Sequence, residues 1–460
     1  WGVPIPSYTC ADCGEKVMND ATLDAVIKLF HEKGSDAWFT DAPESYLGEA
    51  CVCPKCGGHH LKADKDILDV WWDSGVSWKA VCEYRPELEY PADVYLEGSD
   101  QHRGWFQSSL LTSVGANGHA PYKAVVSQGF TLDGQGRKMS KSLGNVIDPN
   151  KVCDEMGADI IRLWVASVDT SSDVSIDHEI LARTSDAYRR FRNTLRFLLA
   201  NTNDFDITKD AVPLEDMLEL DRWALARTAQ LQSEVFKANE TYSFQQVSSL
   251  LMNFATDDLG SFYLDILKDR LYTTKTDGLP RRSAQTALWH ITAAYLRLMA
   301  PILSFTAEEA FAMFSPNKDG TIFTETYHKI PEVQDADKLL AKWTAIRGVR
   351  SDVLKRIEEL RMQSLVGSSL QAECTIAASG ETYEALASLE GELKFVMMTS
   401  KADLAKAEGE TVIDVKATDR KKCCRCWHYV DGVGSDAEHS ELCPRCITNL
   451  FGAGETRSKA

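Results

Sequence analysis

The sequence lacks any run of about eighteen consecutive apolar residues, the minimum length for a helix that spans a membrane. It also lacks a secretory signal peptide, and its first residue is Trp1 rather than methionine. The composition, with 44% hydrophobic and 26% charged residues over 460 positions, favours a globular protein of about two to four domains. We therefore expect no membrane partner.

Positive charge is scarce as well, because 50 Lys and Arg residues face 68 Asp and Glu residues and leave a net charge of −18. A uniformly acidic surface could not bind a phosphate-rich partner, since phosphate contacts need lysine and arginine. The basic residues nevertheless form two local clusters, which are Arg189, Arg190, Arg192 and Arg196 on a predicted helix, and Arg420, Lys421, Lys422 and Arg425. Binding to nucleic acid therefore remains open.

The thirteen cysteines point to metal sites. Cys423 and Cys426 are separated by two residues, and after a gap of sixteen residues Cys443 and Cys446 repeat that spacing. Two such pairs match the four-cysteine zinc pattern, in which four thiolates close the coordination shell and make the metal structural. A thioredoxin-like redox pair is the alternative, but no strand and helix pattern surrounds these pairs. Cys424 is a less well spaced substitute for Cys423.

A second candidate zinc site consists of Cys10, Cys13, Cys53 and Cys56. Proline and glycine in its Cys-Pro-Lys-Cys-Gly run let the backbone wrap around an ion. The long gap between the two pairs predicts an inserted helix over residues 21–31, where apolar residues recur at helical spacing. Cys51 is an alternative ligand to Cys53. Three further cysteines are isolated thiols, and so many unpaired cysteines fit a reducing cytoplasm; they are Cys82, Cys153 and Cys374.

A loop bracketed by Gly136 and Gly144 carries two lysines and two serines, in the order Lys138, Met139, Ser140, Lys141, Ser142. It follows an apolar, strand-like run over residues 124–132. Asp148 and Pro149 then predict a helix start, as N-cap and first helical residue. A mobile loop with two ammonium groups can close on a polyphosphate and stabilise the charge that develops as it is cleaved. The alternative is a solvated turn.

Strands and helices alternate over residues 67–180, as in a parallel nucleotide-binding sheet. Its buried strands are expected at residues 94–96 and 124–127, and one helix is expected over residues 150–168. From Ser185 onward, apolar stripes at helical spacing predict an antiparallel helix bundle of about 130 residues. Residues 335–418 have a mixed α/β pattern without a chemical motif.

Several of these segments resemble one known family. The KMSKS run at Lys138–Ser142 is the signature loop of class I aminoacyl-tRNA synthetases. The segments Trp1–Pro6, Leu68–Gly75 and Tyr95–Phe106 are similar to isoleucyl-tRNA synthetase motifs, and the resemblance extends to the C-terminus. It implies ATP-dependent formation of isoleucyl-adenylate with Mg²⁺ present, and transfer of isoleucine to tRNA-Ile. It also implies that the bundle binds the anticodon and that the C-terminal zinc site is shared with the family.

The resemblance also implies roles for individual residues. Lys138 and Lys141 would be catalytic, and the ATP site would consist of Lys141, Lys138, Met139, Ser140, Ser142 and Gln128. Gln128 stands where many family members have histidine, so that contact with ATP would be altered. The adenylate site would consist of Glu97, Gly98, Asp100, Gln101, Trp105 and Trp71. Both tryptophans could instead be packing residues, and His102 is expected to be a structural hydrogen-bonding residue.

The expected fold is therefore multidomain, α/β plus all-α. Its segments are a zinc-knuckle connective segment (1–66), the second half of a Rossmann-type nucleotide-binding fold (67–184), an anticodon-binding helix bundle (185–334), an α/β junction (335–418) and a zinc ribbon (419–460).

Class I synthetases also need a His-x-Gly-His element near their N-terminus, and none occurs in this sequence. The chain therefore resembles a C-terminal half without that element and without the editing domain, and we expect it to be inactive alone. Its partners would be tRNA-Ile, isoleucine, ATP and the missing N-terminal half. The alternatives are a non-catalytic tRNA- or zinc-binding module and one piece of a split synthetase.

Overall fold

The computed structural model describes residues 1–317 and 319–460. Two compact units make up the chain. The first consists of Trp1–Leu132 with Thr170–Val174, and the second consists of Asp133–Asp169 with Ser175–Ala460. Within the described residues, no helix has the length and apolar character that crossing a membrane requires.

The first unit begins with a small antiparallel sheet followed by helices and a parallel strand pair. Its strands are β1 (Tyr8–Cys10), β2 (Lys16–Val17), β3 (Leu61–Ala63), β4 (Ala92–Gly98) and β5 (Tyr122–Gln128). Its helices are α1 (Asp20–Lys33), α2 (Ala37–Thr40), α3 (Pro43–Leu47), α4 (Val70–Gly75) and α5 (Trp105–Asn117). Helix α1 is the helix expected between the first two cysteine pairs, and a capping box of Asn19 and Thr22 starts it. Two short strands, β6 (Thr131–Asp133) and β7 (Val174–Ile176), follow in the chain.

Strands β4 and β5 are parallel, as the alternating pattern predicts, with Gly98 in register with Gln128. The expectation that both strands are buried is wrong. Only Tyr95 of β4 is buried, whereas Leu96 is 60% exposed and Val125 of β5 is 39% exposed. The physical reason is that this sheet has two strands within the described residues, so that nothing covers one of its faces there.

The second unit starts with two helices where the sequence predicts one. Asp148 caps α6 (Pro149–Met156) by accepting a hydrogen bond from the Asn150 N–H, with Pro149 at the first helical position. Gly157 then takes φ +92°, which ends α6 before α7 (Ala158–Ser167) begins. A side chain would be strained in this left-handed conformation, and the break is therefore tied to glycine.

The bundle contains the long amphipathic helices that the apolar stripes predict. Its helices are α8 (His178–Thr202), α9 (Glu219–Glu240), α10 (Phe244–Asn253), α11 (Leu264–Thr273), α12 (Leu279–Met299) and α13 (Ser304–Phe314). A π-helical segment, Phe254–Tyr263, joins α10 to α11. The predicted stripe residues Phe191, Leu251 and Tyr295 all lie in one hydrophobic core.

A mixed α/β region completes the second unit. It consists of α14 (Ala336–Met362), β8 (Ala372–Ala378), α15 (Gly380–Ala387), α16 (Leu393–Met397), β9 (Lys401–Lys406), β10 (Val412–Ala417) and α17 (Pro444–Phe451). Strand β8 is central, antiparallel to β10 and parallel to β9. The fold class expected from the sequence is confirmed, whereas its division into five domains stays a prediction.

A buried ion pair connects three helices of the bundle. Asp221 of α9 and Arg270 of α11 are both fully buried, and two N–H groups of the guanidinium donate to the two carboxylate oxygens at 2.5 and 2.8 Å. The same carboxylate accepts hydrogen bonds from the Tyr263 hydroxyl at 2.8 Å and from Ser283 of α12 at 2.5 Å. Burial, followed by the nearby Asp221 charge, raises the pKa of Tyr263 well above its usual value. These contacts satisfy a charge that would otherwise be costly to bury.

We expect Asp221→Ala to lower the free energy of unfolding by about 3–5 kcal/mol, because it leaves Arg270 buried without its counter-charge. Urea unfolding followed by circular dichroism measures the change. The control is Arg183→Ala, which removes the exposed Arg183–Glu179 pair and should cost less than about 1 kcal/mol. Equal effects of the two variants would contradict the role given to Asp221.

Candidate active site and metal centres

The first candidate site lies at the carboxyl ends of β4 and β5, the edge at which parallel sheets bind ligands. The register places Gln128 beside Gly98, where the chain leaves β4. In the turn that follows, the Gln101 amide donates to Asp100 at 3.3 Å, and its oxygen accepts from the Trp105 N–H at 2.9 Å. Glu97 is exposed, and its carboxylate accepts from the Gly98 N–H at 3.2 Å. An ordered turn therefore presents two carboxylates and two amides at this edge.

The two tryptophans of the predicted adenylate site have different surroundings. Trp105 stacks on Tyr95, with ring centroids 4.1 Å apart and planes 4° from parallel. Its indole N–H donates to the Ser74 carbonyl at 3.0 Å and lies 3.2 Å from the Ser77 hydroxyl. Trp71, in contrast, is 59% exposed near the start of α4. Packing thus holds Trp105 in place, while most of the Trp71 side chain is open to solvent.

His102 has the structural environment that the sequence interpretation gives it. Its Nε2 lies 3.1 Å from the hydroxyl of Ser127 on β5, and its ring packs edge-on against Phe106. It therefore connects the turn after β4 to the neighbouring strand. Ser127 is a contact that the sequence alone gave no reason to select.

The loop with Lys138 and Lys141 lies in the second unit, so it and the β4–β5 site are parts of different compact units. Both lysines are exposed, and neither has an ion-pair partner among the described residues. The hydroxyl groups of Ser140 and Ser142 lie 3.1 Å apart, and the Leu143 N–H donates to the Ser140 hydroxyl at 3.3 Å. Two unpaired ammonium groups on a folded loop form a site that can receive a polyanion.

The first cysteine cluster brings together the sulfur atoms of Cys10, Cys13, Cys53 and Cys56, all within 4.8 Å of one another. Each pair forms a knuckle, in which the N–H of the following glycine, Gly14 or Gly57, bonds back to the carbonyl of the first cysteine. Cys51 is outside the cluster, because its thiol donates to the His59 carbonyl at 3.2 Å. The geometry therefore favours Cys53 over Cys51 as a ligand.

The second cluster consists of Cys423, Cys426, Cys443 and Cys446, again within 4.8 Å and here all buried. Cys443 is the N-cap of α17 and Cys446 lies in its first turn, where the positive end of the helix dipole favours thiolates. The Cys443 N–H also donates to the Cys423 sulfur at 3.3 Å. Cys424 is exposed and is not part of the cluster.

Both clusters have the dimensions of a zinc site. In the first cluster the two sulfur atoms are 3.7 Å apart in each of the pairs Cys10–Cys56 and Cys13–Cys53. In the second cluster the same distance separates the sulfurs of Cys423 and Cys446 and those of Cys426 and Cys443. A tetrahedron with metal–sulfur bonds of about 2.3 Å has edges of about 3.8 Å, whereas a disulfide would need sulfurs about 2.05 Å apart. Four thiolates leave no coordination position for water, so a zinc ion in either cluster would be structural.

The residue after three of the four knuckles has a left-handed backbone. Gly14 and Gly57 take φ +75° and +73°, and Trp427 takes φ +62° at the corresponding position of the second cluster. Trp427 is 61% exposed, and the Lys422 ammonium lies 5.5 Å from its ring centroid. A side chain of this size in the left-handed region is rare, because its Cβ is crowded against the backbone.

The C-terminal segment is attached to α11 through Asp269. Arg445 forms two hydrogen bonds to this carboxylate, each 2.7 Å, and Arg457 forms another. Burial alone would raise the pKa of Asp269, but the two guanidinium groups hold it well below its usual value. Both guanidinium groups also pack over the Phe395 ring, with Cζ of Arg445 5.2 Å and Cζ of Arg457 3.6 Å from its centroid. A buried, charged network of this kind fixes the segment against the bundle.

The basic cluster expected at residues 420–425 is only partly available to a polyanion. Arg420 forms ion pairs with Glu373 at 2.8 Å and with Asp431 at 3.1 Å. Arg425 donates to the backbone carbonyls of Thr273 and Tyr272 on α11. The remaining two members of the cluster, Lys421 and Lys422, are exposed. On α8, Arg192 pairs similarly with Glu309 of α13 at 3.0 Å.

Most of the chain matches known protein families. Residues 1–177 match the family described as tRNA synthetases class I (I, L, M and V). Residues 221–376 match the anticodon-binding domain of tRNA ligase, and residues 420–449 match the zinc finger found in FPG and IleRS. The zinc finger match and the two tetracysteine clusters together support structural zinc.

Curated relatives resemble the chain over its whole length. The isoleucine–tRNA ligases of Paraburkholderia phytofirmans and Paraburkholderia xenovorans are each 52% identical to it, over 100% of this chain and 48% of the relative. That of Burkholderia multivorans is 50% identical over the same shares. The chain thus spans about half the length of these relatives. A crystal structure of the LeuRS of Agrobacterium radiobacter K84, in a ternary complex with tRNA and LeuAMS, superposes with a TM-score of 0.52 at 18% identity. The superposition covers 82% of this chain and 43% of the LeuRS chain, and it supports the fold described above.

We expect elemental analysis to find about two zinc ions per chain, since each cluster supplies four thiolates. Cys443→Ser and Cys13→Ser should each remove one ion. Cys424→Ser and Cys51→Ser are the matched controls, because each changes a neighbouring thiol outside the clusters, and both should retain two ions. Loss of zinc in a control, or retention of two ions in Cys443→Ser, would contradict the assignment.

A chelator should unfold the segment from about residue 419 while the bundle keeps its circular dichroism. The segment buries little apolar surface of its own, so metal binding provides most of its folding free energy. If the longer protein binds tRNA and ATP, its affinity for tRNA should fall more than its affinity for ATP, which filter binding and calorimetry can compare. Undiminished tRNA binding after complete removal of zinc would contradict this expectation.

Proposed function

This chain belongs to the class I tRNA synthetase family, in the branch of the isoleucine–tRNA ligases, and we propose that the protein it forms part of is an isoleucine–tRNA ligase. The observation that carries the proposal is the loop with Lys138 and Lys141, whose two unpaired ammonium groups suit a polyphosphate. The 52% identity to isoleucine–tRNA ligases supports the choice of amino acid. In the proposed reaction the isoleucine carboxylate attacks the α-phosphorus of ATP and releases pyrophosphate, and the isoleucyl group then passes from the adenylate to tRNA-Ile with release of AMP.

The amino-acid part of the site is proposed to lie at the ends of β4 and β5. There the exposed carboxylate of Glu97 can bind the α-ammonium group or a ribose hydroxyl of the adenylate. Gly98, Asp100 and Gln101 complete the turn, and the amides supply further hydrogen bonds. The open face of Trp71 and the fixed ring of Trp105 are proposed as apolar walls for the aliphatic side chain. Selection against valine depends on one methylene, worth about 1–3 kcal/mol.

The phosphate part of the site is proposed to be the Lys138–Ser142 loop. Lys141 would bind the phosphates of Mg²⁺-bound ATP, helped by Lys138, by the N–H groups of Met139 and Ser142, and by the hydroxyl groups of Ser140 and Ser142. Gln128 is proposed to contribute an amide to ATP binding. Phosphoryl chemistry needs positioning and charge stabilisation more than a protein nucleophile. The two lysines therefore supply what the reaction requires.

The family and its anticodon-binding domain imply tRNA binding, and we propose tRNA-Ile as the substrate. The helix bundle would bind the anticodon, and the exposed lysines near the second zinc cluster would contact phosphates. We propose five domains, which are a connective domain (1–66), a catalytic domain (67–184), an anticodon-binding domain (185–334), a junction domain (335–418) and a zinc domain (419–460). Reduced, zinc-binding cysteines fit the cytoplasm.

We propose the preceding half of the longer protein as a further partner, and the surface of the first unit supports this. Helix α5 has the reverse of the usual burial pattern. Its polar residues Ser109 and Ser113 are buried, whereas the apolar residues Leu110, Leu111 and Val114 are exposed. Strands of parallel sheets are normally covered on both faces, yet β4 and β5 are open on one. The relatives are about twice as long as this chain, so the missing sequence is long enough to cover these faces. Alone, the chain is proposed to be inactive, and a non-catalytic tRNA-binding module is the second candidate.

In the longer protein, isoleucine-dependent exchange of pyrophosphate into ATP should exceed that with valine by about 100-fold in kcat/KM, as one methylene permits. Leucine, with its different branching, should also be a poor substrate. The measurement is exchange of labelled pyrophosphate with each of the three amino acids. A higher kcat/KM for valine or leucine would exclude the proposed identity.

Lys141→Ala should lower kcat for adenylate formation by about 10²- to 10³-fold, because it removes a cation that stabilises developing charge. The Kd for isoleucine should change little. Lys151→Ala, at an exposed lysine on α6, is the matched control and should keep its activity. An unchanged kcat in Lys141→Ala would remove the loop from the mechanism.

A further inference from the structure

Two residues outside the proposed sites hold the loop Lys138–Ser142 in its conformation. Asp133 is buried in β6 and accepts four hydrogen bonds. Its Oδ1 accepts from the backbone N–H groups of Gln135 at 3.0 Å and Arg137 at 2.9 Å. Its Oδ2 accepts from the Arg137 guanidinium at 2.8 Å and from the side-chain amide of Asn145 at 2.9 Å. One carboxylate thus connects the start of the loop to its end.

Asn145 extends these contacts into the loop itself. Its Oδ1 accepts from the Ser140 N–H at 2.9 Å, and its Nδ2 also donates to the Lys138 carbonyl at 3.2 Å. The backbones on both sides of Met139 are therefore bonded to one side chain, which is in turn bonded to Asp133. The pattern uses the amide as donor and acceptor together, so neither aspartate nor alanine at position 145 can reproduce it.

The contacts of Asp133 favour its charged form. Hydrogen bonds from Asn145, and then from the backbone and side chain of Arg137, hold its pKa well below the usual range. The hydrogen bonds it accepts are therefore charge-assisted, which makes them shorter and stronger than neutral ones. The loop is therefore attached to an ionised carboxylate.

We propose that Asp133 and Asn145 are positioning residues for adenylate formation, which fix the backbone of the Lys138–Ser142 loop so that Lys138 and Lys141 meet the phosphates of ATP from a constant position. This inference rests on the proposed function. Neither residue needs to touch a substrate, because both act through the backbone of the loop. A loop that is already ordered loses less conformational freedom on binding, and small displacements of a catalytic group are costly in rate.

The structure itself can be tested on the 460-residue chain without any activity assay. Lys138 and Lys141 are exposed trypsin sites, and cleavage there requires the loop to open locally. Asn145→Ala should raise the rate of cleavage after these lysines by about tenfold, with an unchanged urea midpoint for the bundle. Gln135→Ala is the matched control, because it keeps the backbone N–H that Asp133 accepts. Unchanged cleavage in Asn145→Ala would overturn the proposal.

A reversed pair provides a rescue. Asn145→Asp alone places a second carboxylate against Asp133 and should open the loop at least as much as alanine does. Combining it with Asp133→Asn lets the amide at position 133 donate to the carboxylate at position 145, while the Lys138 carbonyl still lacks a donor. Cleavage should therefore slow part of the way towards that of the unaltered chain. If the double variant is cleaved as fast as Asn145→Asp alone, the pair does not act through this hydrogen bond and the inference fails.

The kinetic consequence is measured in the longer enzyme by pyrophosphate exchange. Asn145→Ala should lower kcat/KM for ATP by as much as about 100-fold and leave the KM for isoleucine unchanged, a split that general misfolding would not produce. Lys141→Ala in the same assay separates the two proposals. If Lys141→Ala is slow and Asn145→Ala is not, the positioning role is wrong. If neither is slow although trypsin opens the loop of Asn145→Ala, the proposed function of the loop fails, and the positioning role fails with it.

Discussion

The buried pair of Asp221 and Arg270 is the contact on which the second unit depends. It fixes α11 between α9 and α12, and it does so with a carboxylate whose oxygens are fully occupied by donors. The preceding residue on α11, Asp269, receives Arg445 and Arg457 from the C-terminal segment. Two adjacent residues thus connect the core of the bundle to the second zinc cluster, and α11 is the joint between them.

The cysteine clusters solve a different problem, which is the stability of short segments. A few dozen residues with little apolar sequence cannot bury enough surface to fold alone. The first cluster lies in a segment with buried residues of its own, such as Val26, Trp38 and Leu61. In the second, four thiolates around one ion would take the place of a hydrophobic core, and the rest of the segment needs only knuckles and one short helix. This helix, α17, contains Cys446, and Cys443 is its N-cap. The metal, the helix terminus and the arginine contacts to α11 therefore act on the same few residues.

Local patterns were sufficient to predict many features. Cysteine spacing selected both clusters, Asp148 and Pro149 marked the start of α6, and helical periodicity gave the bundle core. Burial in β4 and β5 was predicted wrongly, because the apolar residue pattern of a strand is the same whether or not neighbouring strands are present to cover it. The helix break at Gly157 was missed, since glycine within a helical pattern is often tolerated. The roles of Asp133 and Ser127 were also missed, because they depend on contacts across turns that no sequence spacing reveals.

Trp427 has a further consequence for how this protein can change. Its left-handed backbone costs about 1–2 kcal/mol relative to glycine, and the corresponding knuckles of the first cluster do have Gly14 and Gly57. Folding alone would therefore favour glycine at position 427. A library selected only for thermal resistance should drift towards glycine there, and would yield proteins that keep the metal and the fold while losing an exposed indole. At this position stability favours glycine, whereas an exposed indole on the surface requires tryptophan.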